Sequence, residues 1–125
     1  MTRYEDEEDL NAPPECKALG QVLDRIGDKW TIMVVGVLTR EPTRFNAIKR
    51  LIGGISHRML TLTLRGLERD GLVKRTVYAT VPPQVEYELT ELGRSLIEPL
   101  NSLAFWAHRH RAEIERAQGE FDSRE

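Results

Sequence analysis

The sequence predicts an α+β, mainly helical fold: a winged helix-turn-helix with a two-stranded wing and flanking helices. Three observations carry this. Gly53-Gly54 separates two amphipathic segments, the second opening at Ser56 and stopping near Gly71. Two β-rich runs follow, Leu72 to Tyr78 and Val85 to Leu89, joined by a loop that contains Pro82-Pro83. Apolar stripes at three- and four-residue spacing lie before and after this block, as helices require.

In order along the chain, residues 1–15 read as an acidic flexible arm, with Arg3 against Glu5, Asp6, Glu7, Glu8, Asp9 and Glu15 and almost no apolar anchor. Residues 16–117 read as the domain. Leu19, Val22, Leu23 and Ile26 recur at helical spacing, and Gly27 is the stop. Asp28 is placed to cap a second helix whose Trp30, Ile32, Met33, Val34, Val35, Val37 and Leu38 are apolar on nearly every face, a pattern that belongs at the centre of a domain. Gly36 within it is expected to permit close helix packing. Pro42 marks its end, and Thr43 is the expected cap of a third helix carrying Phe45, Ile48, Leu51 and Ile52.

Gly53-Gly54 supplies the turn, because glycine tolerates the positive φ that a sharp turn needs. Ser56 then caps the fourth helix. In the second strand Val85, Tyr87 and Leu89 alternate with Glu86 and Glu88, the pattern of a half-buried strand. The prolines stiffen the loop between the strands and bar further ladder bonding. Thr90 is the expected cap of a last long helix with a stripe of Leu92, Leu96, Leu100, Leu103, Trp106, Ala107 and Ile114, kinked or split by Pro99. Residues 118–125 read as a tail.

The chain has 125 residues, 40% of them hydrophobic and 30% charged, which suits one soluble globular domain. The apolar run from Trp30 to Leu38 is too short to cross a membrane, and no charged-then-apolar leader opens the chain. A single cysteine cannot staple the fold, so the cytoplasm is the expected location. The net charge of −2 conceals an asymmetry. From Arg40 to Arg75 the acids Glu41, Glu68 and Asp70 are far outnumbered by Lys and Arg, whereas both ends are acidic. A basic middle of this kind attracts phosphate whatever the total charge.

Within the fourth helix Leu60, Leu64 and Leu67 fall on one face and His57, Arg58, Thr61, Leu62 and Arg65 on another. A helix that buries one stripe and shows such residues near its N-terminus has the layout of a major-groove reader. Arg58 suits a bidentate guanine pairing or a phosphate clamp. Ser56 and the backbone N–H groups around it suit a phosphate, and Thr61 and Leu62 a thymine methyl. An ordinary solvated amphipathic helix shares this pattern; the preceding helix, glycine turn and following wing favour double-stranded DNA. Arg44, Lys49, Arg50, Lys74 and Arg75 are then expected at phosphates. Tyr78, Thr80 and Gln84 flank the wing tip. With no charge between Thr76 and Val85, the wing is expected to contribute shape more than charge.

Several segments together resemble the HxlR-type winged-helix transcriptional regulators of bacteria and archaea, relatives of the MarR group. They are Cys16, the string from Asp24 to Trp30, Arg44-Phe45, the stretch from Gly54 to Tyr78 and the stretch from Val81 to Gly93. The resemblance implies a homodimer whose first and last helices pair across a two-fold axis, with Leu19, Leu100, Leu103, Trp106 and Ile114 at the interface. Two recognition helices then meet a palindromic or pseudo-palindromic operator. Independently, the stripe of Leu103, Trp106 and Ile114 exceeds what a small monomer needs to bury. Some members sense oxidants or electrophiles through a cysteine near the N-terminus, which Cys16 matches by position. A helix start and Lys17 would favour its thiolate. Lys17 stands where many members have proline, and Gln84 where a basic residue is common.

Enzymes need constellations this chain lacks. It has no Cys-x-x-Cys, no Gly-rich phosphate loop and no His-Glu-x-x-His, and His108 and His110 are spaced to point to different sides of a helix. No cofactor or metal is implied. The expected function is a homodimeric, sequence-specific DNA-binding transcriptional regulator, by default a repressor; an oxidant, electrophile or other small-molecule effector stays open, with Cys16 either its sensor or a buried structural thiol. The alternative is a winged-helix protein–protein interaction module, or a ligand-responsive sensor in which DNA binding is secondary.

Overall fold

The computed structural model describes residues 14–124, with side chains from residue 17. The expected arm therefore lies outside the described residues, except that Pro14 and Glu15 already open the first helix. α1 spans Pro14–Ile26, α2 Lys29–Leu38, and a two-residue strand β1, Thr43–Arg44, precedes α3, Phe45–Ile52. The expected reader is α4, His57–Arg69, followed by β2, Val73–Tyr78, and β3, Gln84–Leu89. A single-turn α5, Glu91–Arg94, leads into the long α6, Ile97–Arg124. Among the described residues no helix is long and apolar enough to cross a membrane.

Local chemistry explains most boundaries. Proline's fixed φ suits the first position of α1. Asp28 accepts from the Thr31 N–H at 3.3 Å, and Ser56 accepts from the Met59 N–H at 3.0 Å, so α2 and α4 each begin on a side-chain cap. Gly53, Gly54 and Gly71 take φ of 71°, 80° and 79°, values that a side chain would strain.

The third helix departs from expectation. Thr43 does not cap it: Thr43 pairs with Tyr87 and Arg44 with Glu86 as an antiparallel third strand, giving sheet order β1-β3-β2. The Thr43 hydroxyl donates instead to the Glu41 carbonyl, and Arg44 stands at the N-cap without a side-chain cap bond. The wing itself is the two-stranded pair, with Val73 opposite Leu89 and Tyr78 opposite Gln84. Because β3 lies between two neighbours, Glu86 and Glu88 are half-buried as well, and the expected alternation is blurred.

The last helix is corrected in two ways. Thr90 caps only α5, accepting from the Gly93 N–H at 3.0 Å while its hydroxyl donates to the Gly71 carbonyl. The break falls at Ser95-Leu96, so Pro99 sits in the first turn of α6, where its missing N–H costs no helical bond and no kink is forced. Residues 118–124, expected as a tail, continue α6.

The core gathers Val34, Val35 and Leu38 of α2, Ile48 of α3, Leu60, Leu64 and Leu67 of α4, and Val73 and Leu89 of the sheet. α2 is central, touching α3, α4, β3, α1 and α6. It is nevertheless one-sided: Ile32 and Met33 are exposed. Among the described residues a Cβ at Gly36 would meet no atom of another element within 4 Å, so none of them packs closely on it.

Candidate nucleic-acid interface

α4 is buried along Leu60, Thr63, Leu64 and Leu67 and leaves the opposite side free. At 100° per residue Arg58, Leu62, Arg65 and Arg69 fall within an arc of about 60°, on the side opposite Leu67. All four are exposed. The sequence reading did not single out Arg69; its i,i+4 spacing from Arg65 is the signal that finds it. Thr61 is half-buried beside this stripe, and its hydroxyl donates back to the His57 carbonyl at 2.9 Å. The His57 ring rests on Phe45 of α3, centroids 4.7 Å apart, and so is held at the junction of the two helices.

Ser56 satisfies one N–H of the first turn of α4. The remaining N–H groups there, together with the helix dipole, favour an anion, and Arg58 adds a full charge at the same end. Lys49 and Arg50 occupy the last turn of α3, half-buried and exposed respectively.

Register divides the wing residues between two faces, since side chains alternate along a strand. Lys74 lies opposite Glu88, Thr76 opposite Glu86 and Tyr78 opposite Gln84, and Arg44 of β1 lies opposite Glu86 on the same face. Arg75, opposite Tyr87, points the other way. Lys74 and Arg75 therefore do not form one cluster. Arg44 Nη2 donates to Gln84 Oε1 at 2.6 Å, which brings a guanidinium beside the residue that lacks a charge. The Tyr78 hydroxyl donates to Glu86 Oε1 at 3.3 Å. The negative charge of Glu86, that hydrogen bond, slight burial and Glu88 hold the phenol above its ordinary value, so it remains a neutral donor at physiological pH. The tip of the wing is uncharged as expected, but its root carries charges of both signs.

The flanking helices offer the apolar surface expected of them. Leu19 is 58% exposed, Leu103 63%, and Trp106 and Ile114 are also open. Leu100 differs: it is half-buried and packs with Leu96 and Ile97 against the domain core. No residue of α6 is fully buried, and its stripe continues through Ala117 to Phe121, past the expected end of the domain. His110 stacks on Trp106 at 4.6 Å within that stripe. Cys16 lies in the first turn of α1, and its side chain falls outside the described residues. Among the described residues no three His, Cys, Asp or Glu side chains are grouped to hold a metal ion.

Sequence reasoning also missed Arg25. Its Nε donates to Asp70 Oδ2 at 2.7 Å, joining α1 to the end of α4. The partners are separated by 45 residues, so no local pattern announces the pair.

Known proteins share the family and the fold. The family model described as HxlR-like helix-turn-helix matches residues 25–115. The HTH-type transcriptional regulator YtcD of Bacillus subtilis (strain 168) is 45% identical over 98 residues, covering 78% of this chain and 75% of its own. The redox regulator HypR in its reduced form superposes with a TM-score of 0.73 at 41% identity, over 79% of this chain and 98% of that one. Its oxidised form gives 0.68 at 42% identity, over 74% and 95%. With the winged helix-turn-helix architecture and the family match in agreement, the chain belongs to the HxlR-like helix-turn-helix family and is a transcriptional regulator, not an enzyme.

Proposed function

We propose that this regulator acts in the cytoplasm as a homodimeric, sequence-specific repressor of a palindromic or pseudo-palindromic operator. One observation carries the DNA-reading part: the exposed stripe of Arg58, Leu62, Arg65 and Arg69 stands opposite the buried Leu60, Leu64 and Leu67, on a helix capped by Ser56. Arg58, with Thr61, Leu62 and Arg65 beside it, reads base edges; His57 and Ser56 orient the helix N-terminus on a phosphate. Arg44, Lys49, Arg50, Lys74 and Arg75 neutralise phosphates, while Tyr78 and Gln84 place the wing along the backbone.

The dimer is supported by α6, which runs on from Leu100 without a buried residue. Leu103, Trp106 and Ile114, with Leu19 of α1, meet their counterparts on a second copy. Half-sites then fall about 34 Å apart or a multiple of it. Repression follows from occupying a promoter.

The test is in vitro selection of duplexes from a random pool, followed by binding measured against salt. A palindromic consensus whose affinity falls steeply with salt supports the reading. Failure to retain any duplex at low salt favours a protein-binding winged helix instead.

An oxidant response through Cys16 is a second reading, favoured by the likeness to HypR, which is a redox regulator solved in both redox forms. As the only cysteine, Cys16 is limited to an interchain disulfide or a mixed disulfide with a small thiol. Oxidant is expected to change operator affinity in the wild type and not in Cys16→Ser. Equal responses in the two proteins would end this reading.

A further inference from the structure

The side chain of Arg25 occupies a place that only glycine leaves open. α1 packs along α2, and from its last turn Arg25 reaches across to α4. A Cβ at Gly66 would overlap Arg25 Nη1 and would stand 2.6 Å from Cζ and 3.0 Å from Nη2. The guanidinium thus lies directly on the α4 backbone at Gly66, and its Nε bonds Asp70 one turn further on. Gly27 secures the approach: it donates to the Leu23 carbonyl at 2.8 Å, and a Cβ there would crowd that same oxygen. Asp28 in turn donates its N–H to the Arg25 carbonyl.

The two elements joined in this way have different roles. α1 presents Leu19, Val22 and Leu23, all more than half exposed, on the surface available to a second copy. On α4, Gly66 lies on the flank, about 80° around the helix from Arg58 at 100° per residue. Arg25 can therefore touch the reader without covering its exposed stripe.

We infer that Arg25 is a positioning residue for operator recognition, with Gly66 as its seat and Asp70 as its anchor. It fixes the angle between α1 and the recognition helix, and through α1 the separation of the two recognition helices in a dimer. This rests on the dimeric DNA-binding reading. The pair is about a third exposed on each side, and solvent screening leaves such an ion pair little weight in global stability. Its effect is on geometry, because a guanidinium that is both seated and hydrogen-bonded permits few orientations of one helix on the other.

The experiment uses the duplex selected by the wild-type protein and a series in which the spacing of its half-sites changes by single base pairs. Wild type is expected to show one optimum, losing about tenfold or more in affinity one or two base pairs away from it. Arg25→Ala, Gly66→Ala and Asp70→Asn are each expected to flatten that profile to about threefold or less, with the dimer and the affinity for a single half-site unchanged. A merely stabilising residue would lower all affinities together and leave the profile sharp. Three separate substitutions guard against one variant that fails to fold. A wild-type profile in Arg25→Ala and Asp70→Asn would overturn the inference.

A measurement without DNA separates this from the wider functional reading. Spin labels at Gln21→Cys and Glu68→Cys, in a Cys16→Ser background diluted with unlabelled chain, report the distance from α1 to α4. A narrow distribution in the otherwise wild-type protein that broadens in Arg25→Ala supports the clamp even if no duplex is ever selected. Equal widths refute it.

Discussion

Arg44 Nη2 and Gln84 Oε1 lie 2.6 Å apart, so the short strand before the helix-turn-helix is tied by side chains to the start of the wing's return strand. Both residues share a wing face with Lys74 and Tyr78, and the cation absent at position 84 is supplied from β1. A guanidinium with one N–H engaged by a neutral amide keeps its remaining donors for a phosphate.

Arg44→Ala is expected to weaken binding to all duplexes by a similar factor and to reduce the slope of log affinity against log salt by about one. Fluorescence anisotropy across a salt series, on operator and random duplex, measures both. A loss confined to the operator would move Arg44 from the backbone to a base.

Arg58→Ala should act differently. Loss of a bidentate base contact costs about 1–3 kcal/mol of discrimination, so the preference for operator over random duplex should collapse while the dimer persists. Arg69→Ala, on the same stripe but at the far end of α4, should cost less discrimination. Competition binding with light scattering on the same samples checks both outcomes. Dissociation of the Arg58→Ala dimer would show that Arg58 belongs to the interface.

Two glycines provide a contrast in stability. A Cβ at Gly93 would overlap the Leu72 carbonyl oxygen and would sit 3.2 Å from Leu89 Cδ2. Gly93→Ala should therefore destabilise by about 1–3 kcal/mol, as overpacking does. Gly36 faces open space inside α2, so Gly36→Ala should be neutral or stabilising, by up to about 1 kcal/mol. Thermal melts of the two variants should shift in opposite directions or, at the least, by very different amounts.

Leu103→Glu is expected to separate the copies. Leu103 is exposed in the single chain and lies on the α6 stripe, so a charge there costs nothing in a monomer and a great deal at a closed interface. Light scattering should show a monomer, and circular dichroism a loss of helix, because an isolated helix of this kind is marginal in water. An unchanged dimer would remove Leu103 from the contact.

The elements that the sequence made legible are those written in local signals. Asp28 and Ser56 announce their caps, Gly53-Gly54 announces the turn, and the stripe of Leu60, Leu64 and Leu67 announces which side of α4 is buried. The features it concealed depend on partners distant in sequence. β1 exists because Thr43 and Arg44 meet Tyr87 and Glu86, and two residues hold no periodicity of their own. The break before α6 is set at Ser95, whose hydroxyl donates to the Leu92 carbonyl, next to Gly93 seated on Leu72, and not at the more conspicuous Pro99. Lys74 and Arg75 look like one basic patch until strand register sends them to opposite faces.

The long α6 has a consequence for how much of the regulator a cell can keep. A lone chain displays residues 101–124 as a helix with no buried residue, and such segments open readily and are favoured by proteases. Pairing would cover that surface and close the site of attack. Unpaired subunits would then be cleared faster than paired ones, so turnover, and not synthesis alone, would hold the pool close to the concentration at which two copies find each other.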